Sequence, residues 1–300
     1  MSFIEQIKQR AKQEIKTIVL PEATDVRILE AAEMIKNEGY AKVILIGNEE
    51  EVRKLAKERN IDIGETKIID PAVSIETARY SKELYELRKS KGMTEEQAEK
   101  LVLEPVYFGM MMVKLNEADG LVSGAAHSTS DTLRPALQIL KTAPGTKLVS
   151  AFFVMVVPNC KYGENGTFIF ADSGLNEEPD SEKLSEIAIS SSKSFEQLVG
   201  TQPKVAMLSY STYGSAHSAS TEKVIEATKL VKEKEPNLLV DGELQLDAAI
   251  IPEVAEFKAK GSPLKGQANV LVFPDLGAGN IGYKLVQRLA KAEAYGPLCQ

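Results

Sequence analysis

The segment Gly124–Arg134 holds the residues best suited to bind an anion. It places four hydroxyl groups and one guanidinium group at the start of a predicted helix: Ser128, Thr129, Ser130, Thr132 and Arg134. A helix N-terminus offers unpaired amides and partial positive charge, and these side chains add donors for a phosphate or acyl phosphate. Capping by Ser128 or Asp131 alone would need only one residue. The excess of hydroxyls therefore favours an anion site, whereas His127 fits a hydrogen-bonded loop residue better than a catalytic base.

A second candidate is the glycine-rich segment Pro274–Lys284, which reads G-x-G-x-x-G at Gly277, Gly279 and Gly282. A dinucleotide site also needs a further strand with an acidic residue about 20 positions on, but the residues that follow have a helical pattern. We therefore reject that interpretation. We predict instead that the loop amides contact phosphate, with three side chains nearby: Asn280, Tyr283 and Lys284.

The remaining polar segments point less clearly to chemistry. The hydroxyl-rich loop 209–220 is interpreted equally well as a substrate contact or as a flexible polar loop. The acidic run 176–180 contains a proline and lacks cation-loop spacing, which indicates a solvated turn. No G-x-S-x-G, Walker or H-E-x-x-H motif occurs, which argues against hydrolases, nucleotide kinases and zincins.

Strand and helix patterns alternate along the chain, as in parallel sheets covered on both faces. An Asn165–Gly166 turn just before the β-branched and aromatic run 167–171 predicts a hairpin with the preceding apolar strand. The long helix 94–118 opens with a Thr94–Gln97 capping box and has an apolar middle, so we expect it to be buried. The predicted strands are 17–20, 42–47, 67–70, 120–123, 148–157, 167–171, 205–210, 238–241 and 269–273, and the other helices are 24–38, 49–59, 75–89, 181–199, 220–235 and 280–293.

Length and composition limit the remaining possibilities. Three hundred residues favour two domains, and the Pro–Gly break in 141–147 marks the boundary between a first domain 1–145 and a second beginning at 146. Thirty-six basic and 43 acidic residues give a net charge of −7, which argues against a nucleic-acid partner. Cys160 and Cys299 lie too far apart in sequence for a disulfide framework. With no signal segment and no membrane span, we predict a cytoplasmic protein.

Long motifs in register resemble the phosphate acetyltransferase family: GLVSGAAHSTSDTLRPALQI, FADSG, VDGELQLDAAI and FPDLGAGNIGYK. The resemblance extends from residue 17 to residue 300. It implies two α/β/α domains with a cleft between them, similar to isocitrate and isopropylmalate dehydrogenases, and a homodimer. It also implies exchange between acetyl phosphate plus coenzyme A and acetyl-CoA plus phosphate, with no bound cofactor or metal. The coenzyme A thiolate would attack the acetyl carbonyl directly.

The resemblance also assigns roles to single residues. It implies that Arg134 contacts the phosphorylated substrate, with Ser128, Thr129 and Ser130 around it, and that Arg88 binds coenzyme A. It places Tyr295 and Cys160 at or near the cleft. The chain would cross back at Tyr295, so that 294–300 joins the first domain and the second domain spans 146–293.

One expected segment lies beyond the sequence. Family members continue into a stretch like PINDLSRG, which supplies a serine, an arginine and an aspartate, the candidate general base. Because this chain stops at Gln300, we expect it to lack full activity, either as a shortened enzyme or as a noncatalytic homologue. Phosphate butyryltransferase is the near alternative. A dehydrogenase would need metal-binding aspartates and a nicotinamide site, and neither can be assembled.

Overall fold

The structure is a computed structural model that describes residues 2–300. The chain divides into two compact units, the first ending at Ala143 and the second spanning Pro144–Gln300. Each unit contains one β-sheet with helices, so the predicted α/β class is confirmed. The unit boundary lies two residues before the predicted one.

The first unit has a four-stranded parallel sheet in the order β3-β2-β1-β4. Its strands are β1 (Lys16–Leu20), β2 (Ala41–Ile46), β3 (Lys67–Ile69) and β4 (Gly120–Leu121). Its helices are α1 (Phe3–Gln13), α2 (Val26–Glu38), α3 (Glu49–Glu58), α4 (Thr77–Arg88), α5 (Glu95–Val102), α6 (Pro105–Lys114) and α7 (Thr129–Ile139).

Strand alternation divides the core of the first unit between two faces. Val19 and Ile44 pack with α6 residues such as Phe108, whereas Leu20 and Leu45 pack with residues of α2 and α3. Successive side chains of a strand point to opposite faces, so one apolar run supplies both sides. The sheet is therefore covered on both faces, as its apolar strands predict.

The predicted single helix 94–118 is wrong, because α5 and α6 are separate helices. Pro105 lacks an N–H and restricts the residue before it, so α5 ends and α6 begins with Pro105 in its first turn. The Thr94 capping box is present: Thr94 Oγ1 accepts from the Gln97 amide at 3.2 Å. The methionine run of α6 is buried, as expected for core residues.

The second unit has a six-stranded mixed sheet in the order β10-β5-β6-β9-β7-β8. Strands β6, β9, β7 and β8 are parallel, and β5 runs antiparallel to β6. The strands are β5 (Ala151–Val156), β6 (Thr167–Ala171), β7 (Lys204–Leu208), β8 (Leu239–Leu244), β9 (Val270–Val272) and β10 (Glu293–Cys299). The helices are α8 (Ser181–Val199), α9 (Ala219–Lys234), α10 (Leu246–Ile250), α11 (Pro252–Lys258) and α12 (Leu276–Leu289).

The predicted return of 294–300 to the first domain is not observed. These residues belong to β10, which pairs antiparallel with β5 and places Tyr295 opposite Val154. They lie in the second unit. The exposed strand has little apolar pattern, and its backbone pairs with a segment about 140 residues earlier. Only this long-range pairing identifies it as a strand.

The most apolar stretch is a strand, as predicted. β5 is buried along nearly its whole length, and it forms a hairpin with β6. Asn165 and Gly166 both have positive φ in the connection, which agrees with the turn signal. Among residues 2–300, no helix combines the length and apolar character that crossing a membrane requires.

Candidate active site

The loop before α7 is held by Glu22, a residue that the sequence analysis missed. Glu22 lies just beyond β1, and the loop 124–127 lies just beyond β4, the neighbouring parallel strand. One carboxylate oxygen accepts from the amides of Gly124 (3.0 Å) and Ala125 (2.9 Å). The other accepts from the amides of Ala126 and His127 and from His127 Nδ1, each at 2.8 Å.

The Glu22 carboxylate is ionised despite its burial. Its side chain is 1% exposed. Burial raises the pKa of this carboxyl, but the hydrogen bonds from the loop outweigh that effect and lower its pKa to about 2. An acidic residue directly after an apolar strand is the one sequence signal that could have pointed to it.

The predicted hydroxyl residues do lie together at the N-terminus of α7, but most are engaged within the chain. Ser128 is the N-cap: its Oγ accepts from the Asp131 amide and donates to the Asp131 carboxylate at 2.6 Å. Ser130 Oγ lies 2.9 Å from Ser128 Oγ, and Thr132 donates to Ser123. The capping interpretation is therefore correct for Ser128.

The groups left for a ligand are fewer than the sequence indicates. The first two amides of α7, Thr129 and Ser130, have no intrahelical acceptor because they open the helix. The Thr129 hydroxyl is exposed and has no hydrogen-bond partner among residues 2–300. The Asp131 carboxylate also lies in this first turn. Its pKa is lowered by the Ser128 hydroxyl and by the charge of Arg134.

Arg134 on α7 and Arg88 on α4 both act through their charge on one buried phenol, that of Tyr107 on α6. Tyr107 on α6 is 8% exposed and donates to Gln138 at 2.9 Å. Burial raises the pKa of Tyr107, and the charges of Arg134 and Arg88 oppose that rise. The two arginines are 46 positions apart in the sequence, but they lie on helices α4 and α7, which contact each other.

Neither arginine is neutralised by a carboxylate at close range. Arg134 is exposed and forms no hydrogen bond or ion pair in the described part of the chain. Arg88 is half-buried at the end of α4, and its Nε is buried without an acceptor among residues 2–300. Unpaired guanidinium groups can bind an anion through charge-assisted hydrogen bonds, and Arg134 lies in the second turn of α7.

The glycine-rich segment of the second unit belongs to a helix rather than a loop. α12 begins at Leu276, four residues earlier than predicted, with Asp275 as its N-cap. A Cβ on Gly279 would lie 2.4 Å from the Asp172 carbonyl oxygen, so this glycine allows the helix to approach the end of β6. The Leu276 amide already donates to Glu177. This helix end thus offers fewer amides to phosphate than α7 does.

The other predicted residues of α12 make contacts within the second unit. Asn280 Nδ2 donates to the Ser173 carbonyl at 3.4 Å. Tyr283 stacks on Phe153 with ring centroids 4.1 Å apart, and the Lys284 ammonium lies 5.8 Å from the Tyr283 centroid. Their roles toward a ligand remain predictions.

Cys160 does not lie with the start of α12, and Tyr295 lies on the edge strand β10. Tyr295 donates to Glu293 at 2.6 Å; burial and this contact raise the pKa of its phenol. Cys160 follows β5, whose end pairs with the beginning of β6. β6 is parallel to β9, and α12 follows the end of β9. Cys160 therefore lies near the start of these strands, whereas α12 lies near their end.

The loop 209–220 is held by a second buried acid. Glu243 on β8 is 3% exposed. Its Oε1 accepts from the Ser211 hydroxyl and from the Gly214 amide, both at 2.8 Å. Tyr213 donates to the buried Asp241, and burial together with this hydrogen bond raises the pKa of Tyr213 to about 12. The interpretation as a loose polar loop is not supported.

Comparisons with known proteins agree along the whole chain. The family model described as "Phosphate acetyl/butaryl transferase" matches residues 2–300. A phosphate acetyltransferase from Acetivibrio thermocellus is 66% identical over 300 residues, covering 100% of this chain and 90% of the relative.

Solved structures give the same result. A phosphotransacetylase from Streptococcus pyogenes is 41% identical with a TM-score of 0.91, covering 100% of this chain and 90% of the other. The EutD phosphotransacetylase from Staphylococcus aureus is 46% identical with a TM-score of 0.88, covering 99% and 89%.

Proposed function

Because this chain belongs to the phosphate acetyl/butyryl transferase family, we propose that it interconverts acetyl phosphate plus coenzyme A with acetyl-CoA plus phosphate. Relatives up to 66% identical over the full chain carry the name phosphate acetyltransferase, which favours the acetyl over the butyryl substrate. Coenzyme A is a substrate in this reaction.

The observation that carries the site assignment is the pair of unpaired guanidinium groups near the N-terminus of α7. Arg134 and the free amides of Thr129 and Ser130 are donors for the phosphoryl oxygens. Arg88, on the neighbouring helix α4, would meet a further anionic group, such as a phosphate of coenzyme A. Ser128 acts as the helix cap that fixes these donors.

The chemistry follows from these charges. The coenzyme A thiol must lose its proton so that the thiolate can attack the acetyl carbonyl, and over the whole reaction this proton passes to the departing phosphate. A C–S bond forms, the C–O bond to phosphate breaks, and inorganic phosphate leaves with the bonding electrons. Arg134 and the helix amides would stabilise the departing phosphate, because donors already in position cost no reorganisation during the reaction. No covalent enzyme intermediate is needed.

The test is thioester formation from coenzyme A and acetyl phosphate, followed by absorbance, with residues 1–300 and with a parent protein extended through the segment that family members carry after this point. Arg134→Ala should raise the KM for acetyl phosphate roughly ten- to hundredfold, since a hydrogen bond to a charged group contributes about 1.5–3 kcal/mol. Arg53→Ala is the matched control, because Arg53 pairs with Glu49 on the surface of the same unit. No thioester from the parent protein would refute the activity; an unchanged KM would remove Arg134 from the site.

The homodimer, the cytoplasmic location and the substrate contacts of Gly279, Asn280, Tyr283 and Lys284 belong to this proposal as well. Sedimentation of the purified protein tests the dimer. Alanine substitution of Lys284, whose ammonium group is exposed, tests the contacts of α12 by the same assay. A monomer in sedimentation would refute the homodimer. A Lys284→Ala variant with parental kinetics would remove Lys284 from the substrate contacts.

A further inference from the structure

The loop 124–127 has the form of an anion-binding nest that the chain fills with its own carboxylate. Four successive backbone N–H groups converge on Glu22, all within 3.0 Å. Successive amides that point to one centre are the arrangement by which backbones hold phosphate. Here the anion is a side chain from the neighbouring strand end, 1% exposed to solvent.

We propose that Glu22 is a positioning residue for the acyl phosphate site: it fixes the N-terminus of α7 and keeps the loop amides from capturing the phosphoryl group. This inference rests on the proposed function. It assigns to the transferase reaction a residue that touches no substrate and acts through the loop.

The proposal that Glu22 fixes the start of α7 rests on the direct connection between the loop and the helix. His127 makes two hydrogen bonds to Glu22, and the next residue, Ser128, is the N-cap of α7. The carboxylate therefore fixes the point from which the helix starts, and with it the free amides and Arg134. Arg27 holds the same loop from its carbonyl side, donating to the Ala125 oxygen at 2.5 Å.

The proposal that Glu22 keeps the loop amides from the phosphoryl group rests on the charge of its carboxylate. Because the carboxylate occupies the nest, an incoming phosphoryl group meets no free backbone amide at 124–127. The negative charge of the carboxylate would also repel the phosphoryl group. The phosphoryl group is thus directed to the amides of Thr129 and Ser130 and to Arg134. Removing the carboxylate would loosen the start of α7 and open a competing anion site one turn away.

The kinetic test compares Glu22→Gln with a matched control. Glutamine keeps the shape, but its NH2 group faces backbone donors instead of accepting from them. We expect a tenfold or larger rise in the KM for acetyl phosphate, with the KM for coenzyme A changed less than twofold. Glu117→Gln is the control. Glu117 accepts from Tyr80 and Arg79 and lies before β4 begins, at the opposite end of this strand from the loop 124–127. It should lower the melting temperature and leave both KM values within twofold.

The second test does not depend on activity. In protein labelled with ¹⁵N-alanine, inorganic phosphate should leave the amide signals of Ala125 and Ala126 in the parent unmoved. In Glu22→Ala phosphate should shift both signals, and formate should compete with phosphate and restore the KM for acetyl phosphate. Phosphate-dependent shifts of these two signals in the parent would overturn the proposal.

The two tests also separate the proposals. A parent protein without thioester formation refutes the function, while the alanine signals still report whether the nest is filled. An active parent whose Glu22→Gln variant keeps the parental KM for acetyl phosphate overturns the positioning role alone. Equal KM rises for both substrates in Glu22→Gln and Glu117→Gln would likewise reduce Glu22 to a structural residue.

Discussion

Replacing Glu22 by glutamine should remove a specific part of the acid sensitivity of folding. The native pKa of this carboxyl is about 2, against 4.5 for an ordinary glutamate. A difference of roughly 2.5 pKa units corresponds to on the order of 3 kcal/mol of folding free energy at neutral pH. Solvent screening reduces this value little, because the side chain is 1% exposed.

The direction follows from the lowered pKa. A carboxyl with a depressed native pKa binds its proton more readily in the unfolded chain, so its stabilisation is complete above about pH 4.5 and is lost as the pH falls toward 2. By pH 3 about 2 kcal/mol of this contribution should be gone. Glu22→Gln has no such proton to bind, so its stability should fall less steeply with acid.

Urea unfolding followed by circular dichroism at pH 7, 5, 4 and 3 measures the effect. The quantity of interest is the difference in unfolding free energy between the parent and Glu22→Gln, because other acidic groups contribute equally to both proteins. This difference should shrink by about 2 kcal/mol between pH 7 and pH 3. A difference that stays constant over that range would refute the argument that the loop amides hold an ionised Glu22.

Three further outcomes test the packing around the site. Gly279→Ala should lower the unfolding free energy by about 1–3 kcal/mol in urea, because the new Cβ would lie 2.4 Å from the Asp172 carbonyl; an unchanged value would mean that α12 is free to shift. Tyr107→Phe should cost about 1 kcal/mol in the same assay, since it leaves a glutamine oxygen without its donor; no loss would contradict that bond. Glu243→Gln should speed hydrogen exchange of the Gly214 amide about tenfold or more, because the amide loses a charged acceptor; unchanged exchange would contradict the loop contact.

Much of the fold follows from local signals in the sequence. α8 spans 181–199 as predicted, because Asp180 caps its start and Gly200 ends it in the left-handed conformation. β6 also agrees residue for residue with its prediction, since a turn signal precedes a β-branched and aromatic run. Where caps and turns bound an element, periodicity sets both its type and its limits.

The errors share a different cause. β10 has no buried residue pattern, and only pairing with β5 makes it a strand. The role of Glu22 depends on β1 and β4 being neighbours, which local sequence does not state. The hydroxyl residues of α7 were identified correctly as a group, but sequence spacing could not tell that Ser128 is consumed by capping. The errors at β10 and Glu22 concern contacts between segments far apart in the chain, whereas the break at Pro105 and the Ser128 cap are local.

Buried carboxylates explain how a chain with a net charge of −7 can hold an anionic substrate. Glu22 and Asp172 each accept several backbone N–H groups just beyond the carboxyl end of a strand, and Glu243 accepts the Gly214 amide, so these amides already face an internal anion. At the start of α7, the Asp131 carboxylate accepts from the Ser128 hydroxyl, whose oxygen accepts from the Asp131 amide, and the first two amides of the helix stay unfilled. Arg134 then supplies charge without a partner of its own. In the proposed site, selectivity for the acyl phosphate would arise from which amides the chain leaves open rather than from the overall charge.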